Sequence, residues 1–321
     1  MHKYLKVPLV SALTILTLHF NASAADVVIG IPNWTSAAVT GEMIRYIAKT
    51  DLGLDVGTTP GTNTVIFEAM GVGKGDIDVH PEVWLPNQAN LSDQYIEKDA
   101  TVAFAAEPYQ ARQGICTTRY AAEALGIKSV YDLANPEISA HFDTNGDGKG
   151  EFWPGAQGWN STNVEMVRAR DYGYDKFWEL VPTDESIYYA DMINAAGSKR
   201  FKIGICQEPN YVFSKLDLVW LEEPQYDANA WVMKQPSEDP DWLKHSHVAT
   251  AWPPTILRIA YSKTLKERTP EFVALLDKIH LDIAIVSSWT AMVAVDGLTS
   301  EEAAKKWVDD NRETVNRWLG L

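Results

Sequence analysis

The chain has 321 residues, of which 46% are hydrophobic, 22% charged and 11% aromatic. That composition suits one large or two ordinary globular domains and excludes a disordered polymer, a collagen or a small disulfide-stapled scaffold. The 43 acidic against 28 basic residues give a formal charge of -15, which argues against nucleic acid or an anionic lipid surface as the main partner, because both would be repelled.

The N-terminus reads as an export signal. Lys3 and Lys6 precede an apolar run, Val7 to Phe20, that is too short to span a bilayer comfortably, and Ala22-Ser23-Ala24 fits an A-x-A cleavage site. The expectation is a cleaved signal peptide over residues 1–24 and a mature protein in the periplasm; an N-terminal membrane anchor is the alternative. No cysteine follows the apolar run, so no lipoprotein anchor is expected.

From Asp26 onward, short apolar runs alternate with helical periodicity. Residues 26–31 (DVVIGI) read as a strand, and 36–50 as a helix with Val39, Met43, Ile44 and Ile47 on one face and Thr35 or Ser36 as N-cap. A strand near 54–58, a helix over 63–71 and a strand at 76–80 complete a β-α-β-α-β run, the mark of an α/β domain on a mainly parallel sheet. Open sheets of this kind bind ligands at the carboxyl ends of their strands, which points to residues 32–35 and 81–90.

After Tyr109 the alternation resumes, with strands at 113–117, 202–206, 216–220 and 256–262 and helices near 119–125, 161–173 and 187–197. A polar loop covers 143–158. The last helix opens on Thr299-Ser300-Glu301-Glu302, a capping-box spacing, and places Ala303, Trp307, Val308, Val315 and Trp318 on one apolar side. No repeat or long linker interrupts the chain.

Enzyme motifs are missing. Gly71, Gly73 and Gly75 have the wrong spacing for a dinucleotide loop and precede a strand, and no phosphate-binding loop, H-E-x-x-H or G-x-S-x-G string occurs. Cys116 and Cys206 both lie in strand-like runs; they either pair, closing a long loop in an oxidising compartment, or pack as buried thiols. The run Asp143, Asn145, Asp147, Gly148, Lys149 and Glu151 resembles the first part of a calcium loop, but Pro154 stands where a bidentate glutamate would close an EF-hand. A structural calcium on Asp143, Asn145, Asp147, the Lys149 carbonyl and Glu151 is one reading and a plain Asp/Asn/Gly turn the other.

The surplus is in tryptophan: 12 against 9 phenylalanines. Trp178, Trp289, Trp307 and Trp318 fall within elements and read as core. Trp34, Trp84, Trp153, Trp159 and Trp252 fall in loops rich in Pro, Gly and Asn, where indole faces suit a cation without N–H groups, namely a methylated ammonium or sulfonium. Asn160, Ser161 and Thr162 open the helix after Trp159, and its free backbone N–H groups suit a carboxylate. An aromatic wall beside an anion clamp describes a zwitterion.

The string from Asp76 to Asn87 (D-x-D-V-x(3)-V-W-L-P-N), the loop D-T-N-G-D-G-K-G before P-G-x-x-G-W, and the signal peptide resemble the periplasmic glycine betaine, proline betaine and choline-type substrate-binding proteins of ABC importers. The resemblance implies a receptor, not an enzyme. It implies a two-lobe type II periplasmic binding fold of α/β class, with residues 25–108 plus 254–321 as lobe one and 109–253 as lobe two. Trp84 and Trp159 would be cage walls, and backbone N–H groups at Asn160 and Ser161 would hold the carboxylate. Gln207 stands at a third cage position, so Tyr211, Trp34 or Trp252 would have to supply that wall, and Gln88 stands where some relatives place a histidine. Implied partners are one small onium zwitterion and separate ABC permease and ATPase subunits, with the receptor a monomer and no cofactor required. Glycine betaine leads as ligand, followed by dimethylsulfoniopropionate, trimethylamine N-oxide, choline and carnitine. An exported, calcium-stabilised α/β enzyme is the rival reading. Another is the same fold tuned to a ligand with an N–H bearing ammonium, for which Glu82 or Glu208 would be the acceptor.

Overall fold

Residues 25–321 are described by the computed structural model, and the signal peptide expected over 1–24 lies outside them. Its strands are β1 (Val27–Ile31), β2 (Val56–Pro60), β3 (Val79–Leu85), β4 (Val102–Phe104), β5 (Tyr109–Thr118), β6 (Gly150–Phe152), β7 (Trp178–Leu180), β8 (Ile203–Glu208), β9 (Leu218–Trp220), β10 (Trp231–Val232), β11 (His247–Val248) and β12 (Thr255–Ser262). Eight of them form one sheet in the order β2-β1-β3-β12-β5-β8, with β4 added on β12 and β9 on β5; β6 with β7 and β10 with β11 form separate pairs.

The parallel pairing expected from the first five elements holds: β1 runs parallel to both β2 and β3. Beyond β3 the pairing turns antiparallel. β12 pairs antiparallel with β3 and β5, and β5 with β8. The ten-residue β5 joins two regions. Its residues 109–111 pair with 257–255 of β12, and its residues 112–117 pair with 208–203 of β8. One strand thus passes from one half of the sheet into the other, so any rotation between the halves must bend β5.

The first helix, Thr35–Asp51, forms as its spacing predicts, burying Val39, Met43, Ile44 and Ile47. It packs against helices Ile283–Ala294 and Ser300–Asp310. The terminal capping box is present: Glu302 Oε2 accepts the Thr299 N–H at 2.8 Å, and the Thr299 hydroxyl accepts the Glu302 N–H at 3.1 Å. The chain breaks at Asn311 into two helices, Ser300–Asp310 and Arg312–Leu319, while the five expected apolar residues stay buried.

Two boundaries differ from expectation. The strand expected at 76–80 runs instead from Val79 to Leu85, so Trp84 lies in a strand rather than a loop. Asp78 stays outside it because its carboxylate accepts the Val28 N–H at 3.0 Å and pairs with Arg268 at 2.6 Å. Pro81 inside β3 has no N–H to donate, and the register of β12 shifts opposite it, between Arg258 and Ala260.

Cys116 of β5 and Cys206 of β8 are disulfide-bonded, with Cα atoms 5.7 Å apart, which settles the open choice in favour of pairing. Helix Asn160–Asp171 carries two fully buried charges, Glu165 and Arg168. Arg168 contacts Glu165 at 3.0 Å, both fully buried, and the largely covered Glu223 side chain at 2.6 Å, and donates to the Thr250 carbonyl at 2.6 Å. No helix among the described residues is long and apolar enough to cross a membrane.

Candidate functional site

A cleft opens where the carboxyl ends of β1 and β3 face the end of β8 and the start of helix Asn160–Asp171. From one side it is lined by Trp34, Ser36, Asn63, Trp84, Asn87 and Gln88, and from the other by Trp159, Asn160, Ser161, Glu185, Gln207 and Pro209. Each lining residue sits at an element's end for a local reason. Trp34 follows β1 and stands at the N-cap of helix Thr35–Asp51. Trp84 is the penultimate residue of β3. Trp159 holds the N-cap of helix Asn160–Asp171, and Glu185 is the first residue of helix Glu185–Gly197.

The indoles are held by their N–H groups. Trp34 Nε1 and Trp84 Nε1 both donate to Glu82 Oε1, at 2.9 Å and 2.8 Å. Trp159 Nε1 reaches across the cleft to Asn33 Oδ1 at 2.9 Å. The Trp34 and Trp159 rings meet edge to face, with centroids 5.9 Å apart. Trp153, expected at a loop tip, lies behind them: it stacks on Tyr188 at 4.1 Å, meets Trp159 edge-on and donates to the Thr183 carbonyl.

Two helix N-termini meet at the cleft, and they differ. Helix Thr35–Asp51 has no side-chain cap of its own; the expected Thr35 or Ser36 cap is absent, and the Glu185 carboxylate accepts the Thr35 N–H at 3.1 Å instead. Helix Asn160–Asp171 also lacks a side-chain cap, since its N-cap residue is Trp159, whose indole has no acceptor atom. The N–H groups of Asn160 and Ser161 therefore have no acceptor among the described residues and lie where an anion can meet them.

Glu185 is the one acidic lining residue, and no lysine, arginine or histidine lines the cleft. It also accepts from Asn210 Nδ2 at 2.9 Å. Burial pushes its carboxyl up from 4.5 to about 7, while the Thr35 N–H pulls it down and the Glu82 charge raises it. A group that binds its proton more tightly in the folded protein contributes stability that is complete below pH 4.5 and lost as the pH rises through about 7. Glu185→Gln keeps an acceptor for Thr35 but cannot ionise. Urea unfolding of this variant is expected to show a flatter profile between pH 4.5 and 7 than the parent, by at most about 3 kcal/mol. Matching profiles would contradict this assignment.

Beneath the cleft, side-chain hydrogen bonds tie three strands and a turn together. Asn87 and Gln113 exchange hydrogen bonds at 2.8 and 2.9 Å, Gln207 donates to Gln113 Oε1 at 2.9 Å, and Gln113 donates to Thr255 Oγ1 at 3.1 Å. These residues come from the turn after β3 and from β5, β8 and β12. His80 is fully buried and held neutral, its pKa pushed down to about 3 by burial, with Nε2 bonded to Asn63 at 2.9 Å.

Of the nine residues singled out in the sequence for the ligand, seven line the cleft: Trp34, Trp84, Gln88, Trp159, Asn160, Ser161 and Gln207. Tyr211 does not; it is buried near Tyr189, with rings 6.4 Å apart. Trp252 does not either. It lies against Trp231, and its N–H donates to Glu165 at 3.0 Å, so it serves the buried charge cluster. Glu82 and Glu208 are outside the lining as well, and Glu82 is consumed by side-chain donors. Ser36, Asn63, Glu185 and Pro209 line the cleft without having been singled out, and Asn87 does so from within the segment 81–90. Asn63 follows β2, so the carboxyl-end rule would have found it; no local signal marks Glu185.

The oxygen-rich loop from Asp143 to Glu151 contributes nothing to the cleft lining. Its side-chain oxygens accept from its own backbone: Asp143 from Gly146 and Gly148, Asn145 from Asp147, Asp147 from Lys149, and Glu151 from Thr144 and Asn145. Among the described residues no three His, Cys, Asp or Glu side chains are grouped as a metal-binding set.

Comparison with known proteins identifies the family and the fold. Residues 25–310 match the family model described as the substrate-binding domain of ABC-type glycine betaine transport systems. The trimethylamine N-oxide-binding protein of Pelagibacter ubique is 24% identical over 317 residues, covering 95% of this chain and 96% of that protein. Among solved structures, lactococcal OpuAC in its closed form with glycine betaine superposes with a TM-score of 0.68 at 22% identity, covering 91% of this chain and 98% of that one. The glycine betaine and L-proline-binding protein ProX of Borrelia burgdorferi gives a TM-score of 0.69 at 16% identity, covering 91% and 96%. The architecture is the two-lobe type II periplasmic binding fold.

Proposed function

We propose, for a chain that belongs to the family of substrate-binding domains of ABC-type glycine betaine transport systems, that its cleft binds one small methylated onium osmolyte and presents it to a membrane permease. The family is one of receptors and not of enzymes. The observation that carries the choice of ligand is the lining: three indoles, one carboxylate, a helix N-terminus with free N–H groups, and no basic side chain. A permanently cationic head group gains from the rings without needing an acceptor for N–H groups it does not have.

Trp34, Trp84 and Trp159 form the cage, Trp34 filling the wall that Gln207 does not. The Asn160 and Ser161 N–H groups take the ligand's anionic end. Gln88 stands beside them, its amide oxygen buried without a partner. Three desolvated ring faces contribute about 6 kcal/mol and each charge-assisted hydrogen bond about 1.5–3 kcal/mol. Offset by at least about 4 kcal/mol for lost freedom, the sum reaches the roughly 8 kcal/mol of a micromolar complex.

Glycine betaine is the leading ligand. The match to a trimethylamine N-oxide-binding protein along 95% of this chain favours that compound as the second reading. The lobes divide as residues 25–108 with 254–321 and residues 109–253, closing by a hinge in β5 and in the segment entering β12, where the strand pairing changes sides. The mature receptor works as a monomer in the periplasm, with permease and ATPase as separate chains.

Calorimetric titration with glycine betaine, trimethylamine N-oxide, choline, carnitine and dimethylsulfoniopropionate tests this. At least one is expected to bind one-to-one with a dissociation constant on the order of micromolar and to be recovered unchanged. Absence of heat with all five would overturn the reading.

A further inference from the structure

We propose that Glu82 is the positioning residue of the cleft: one buried carboxylate, beyond the ligand's reach, fixes two indole walls at once and sets a negative charge behind them. The inference rests on the cage reading above and adds a residue that does not line the cleft.

Glu82 is in the middle of β3 and is fully buried. Its Oε1 accepts Trp34 Nε1 at 2.9 Å, Trp84 Nε1 at 2.8 Å and Ser36 Oγ at 2.7 Å, and its Oε2 accepts the Tyr109 hydroxyl at 3.3 Å. An indole N–H can only donate, so a wall held by its N–H needs an acceptor in a fixed place. Here a single oxygen supplies it for two walls that come from different elements, the turn after β1 and β3 itself. Neither ring can swing without breaking a buried hydrogen bond and leaving its N–H unpaired.

The partners of Glu82 are all neutral donors. A buried carboxylate is ordinarily paired with a cation, because desolvating an unbalanced charge is expensive. Arg168, the fully buried guanidinium, is committed to Glu165 and Glu223. Burial raises the Glu82 pKa, and the four donors oppose that rise. The missing opposite charge is the one an onium head group brings to the other side of the indoles. An N–H bonded to an anion leaves its ring more electron-rich, which strengthens the face that meets the cation. Glu82 therefore favours a charged head group over a neutral one of the same shape.

The test compares each onium ligand with its carbon isostere in the intact protein: glycine betaine with tert-butylacetate, and trimethylamine N-oxide with tert-butanol. Glu82→Gln retains an acceptor oxygen for the indoles and removes the charge. It is expected to keep the tryptophan bands of the near-ultraviolet circular dichroism, weaken the onium compound about tenfold or more, and change the isostere by less than about threefold. Equal losses for both compounds, or an unchanged onium affinity, would overturn the proposal. Should Glu82→Gln fail to fold, Trp34→Phe keeps a ring and the carboxylate but deletes one N–H; a selective loss for the onium compound supports the proposal and an unchanged ratio overturns it. A parent protein that binds no onium compound would instead remove the cage reading on which this rests.

Discussion

Trp84→Ala and Trp159→Ala are each expected to weaken onium binding by roughly ten- to a hundredfold, the loss of one desolvated ring face at about 2 kcal/mol plus the water admitted in its place. The rings come from opposite sides of the cleft, so both variants should lose affinity although they share no backbone element. Both rings are also buried, and deleting either destabilises the protein. Titrations therefore belong well below the variants' melting temperatures, with Trp84→Phe and Trp159→Phe as partners that keep a π face. Phenylalanine should restore part of the lost affinity. Unchanged affinity in both alanine variants would remove the site assignment.

Arg168→Met is expected to cost the most in stability, about 3–5 kcal/mol in urea unfolding. The guanidinium is the charge between Glu165 and Glu223, and its removal leaves two buried carboxylates facing each other. Burial, with the Glu223 charge added, already holds Glu165 above its usual range. The sign of the pH dependence follows. In the variant the carboxyls are easier to bury protonated, so the gap between variant and parent should narrow as the pH falls through the carboxylate range. A loss below about 1 kcal/mol, or a gap independent of pH, would contradict this role.

Much of the fold was legible because burial imposes period. The stripe Val39, Met43, Ile44 and Ile47 could only be a helix face, and β1 and β2 on either side of it followed. What the pattern hid was pairing. Nothing in the local sequence of β5 or β12 distinguishes an antiparallel strand from a parallel one, since that choice depends on partners about 150 residues away. The start of β3 was misplaced because Asp76-Ile77-Asp78 alternates like a strand, although Asp78 is committed to Val28 and Arg268.

The site was legible in its aromatics and less so in its charges. Trp34, Trp84 and Trp159 stood out because each sits at an element's end, where a core indole is out of place. Trp252 shared that signal and was misread, since its loop faces the Arg168 cluster rather than the cleft. Glu185 gave no usable sign, and Glu82 stood out only as an acceptor for an N–H bearing ammonium. A glutamate inside a strand and another at a helix start look like solvated charges until their distant partners, Trp34 and Thr35, are brought beside them.

The proposed function depends on a methylated head group lying between the indole faces. Nuclear magnetic resonance with glycine betaine carrying carbon-13 N-methyl groups measures that contact directly. The bound methyl protons are expected to shift upfield under the rings and to give nuclear Overhauser effects to the indole protons of Trp34, Trp84 and Trp159, with each set lost in the corresponding alanine variant. A bound methyl signal at its free position, with contacts to none of these three residues, would contradict the cage.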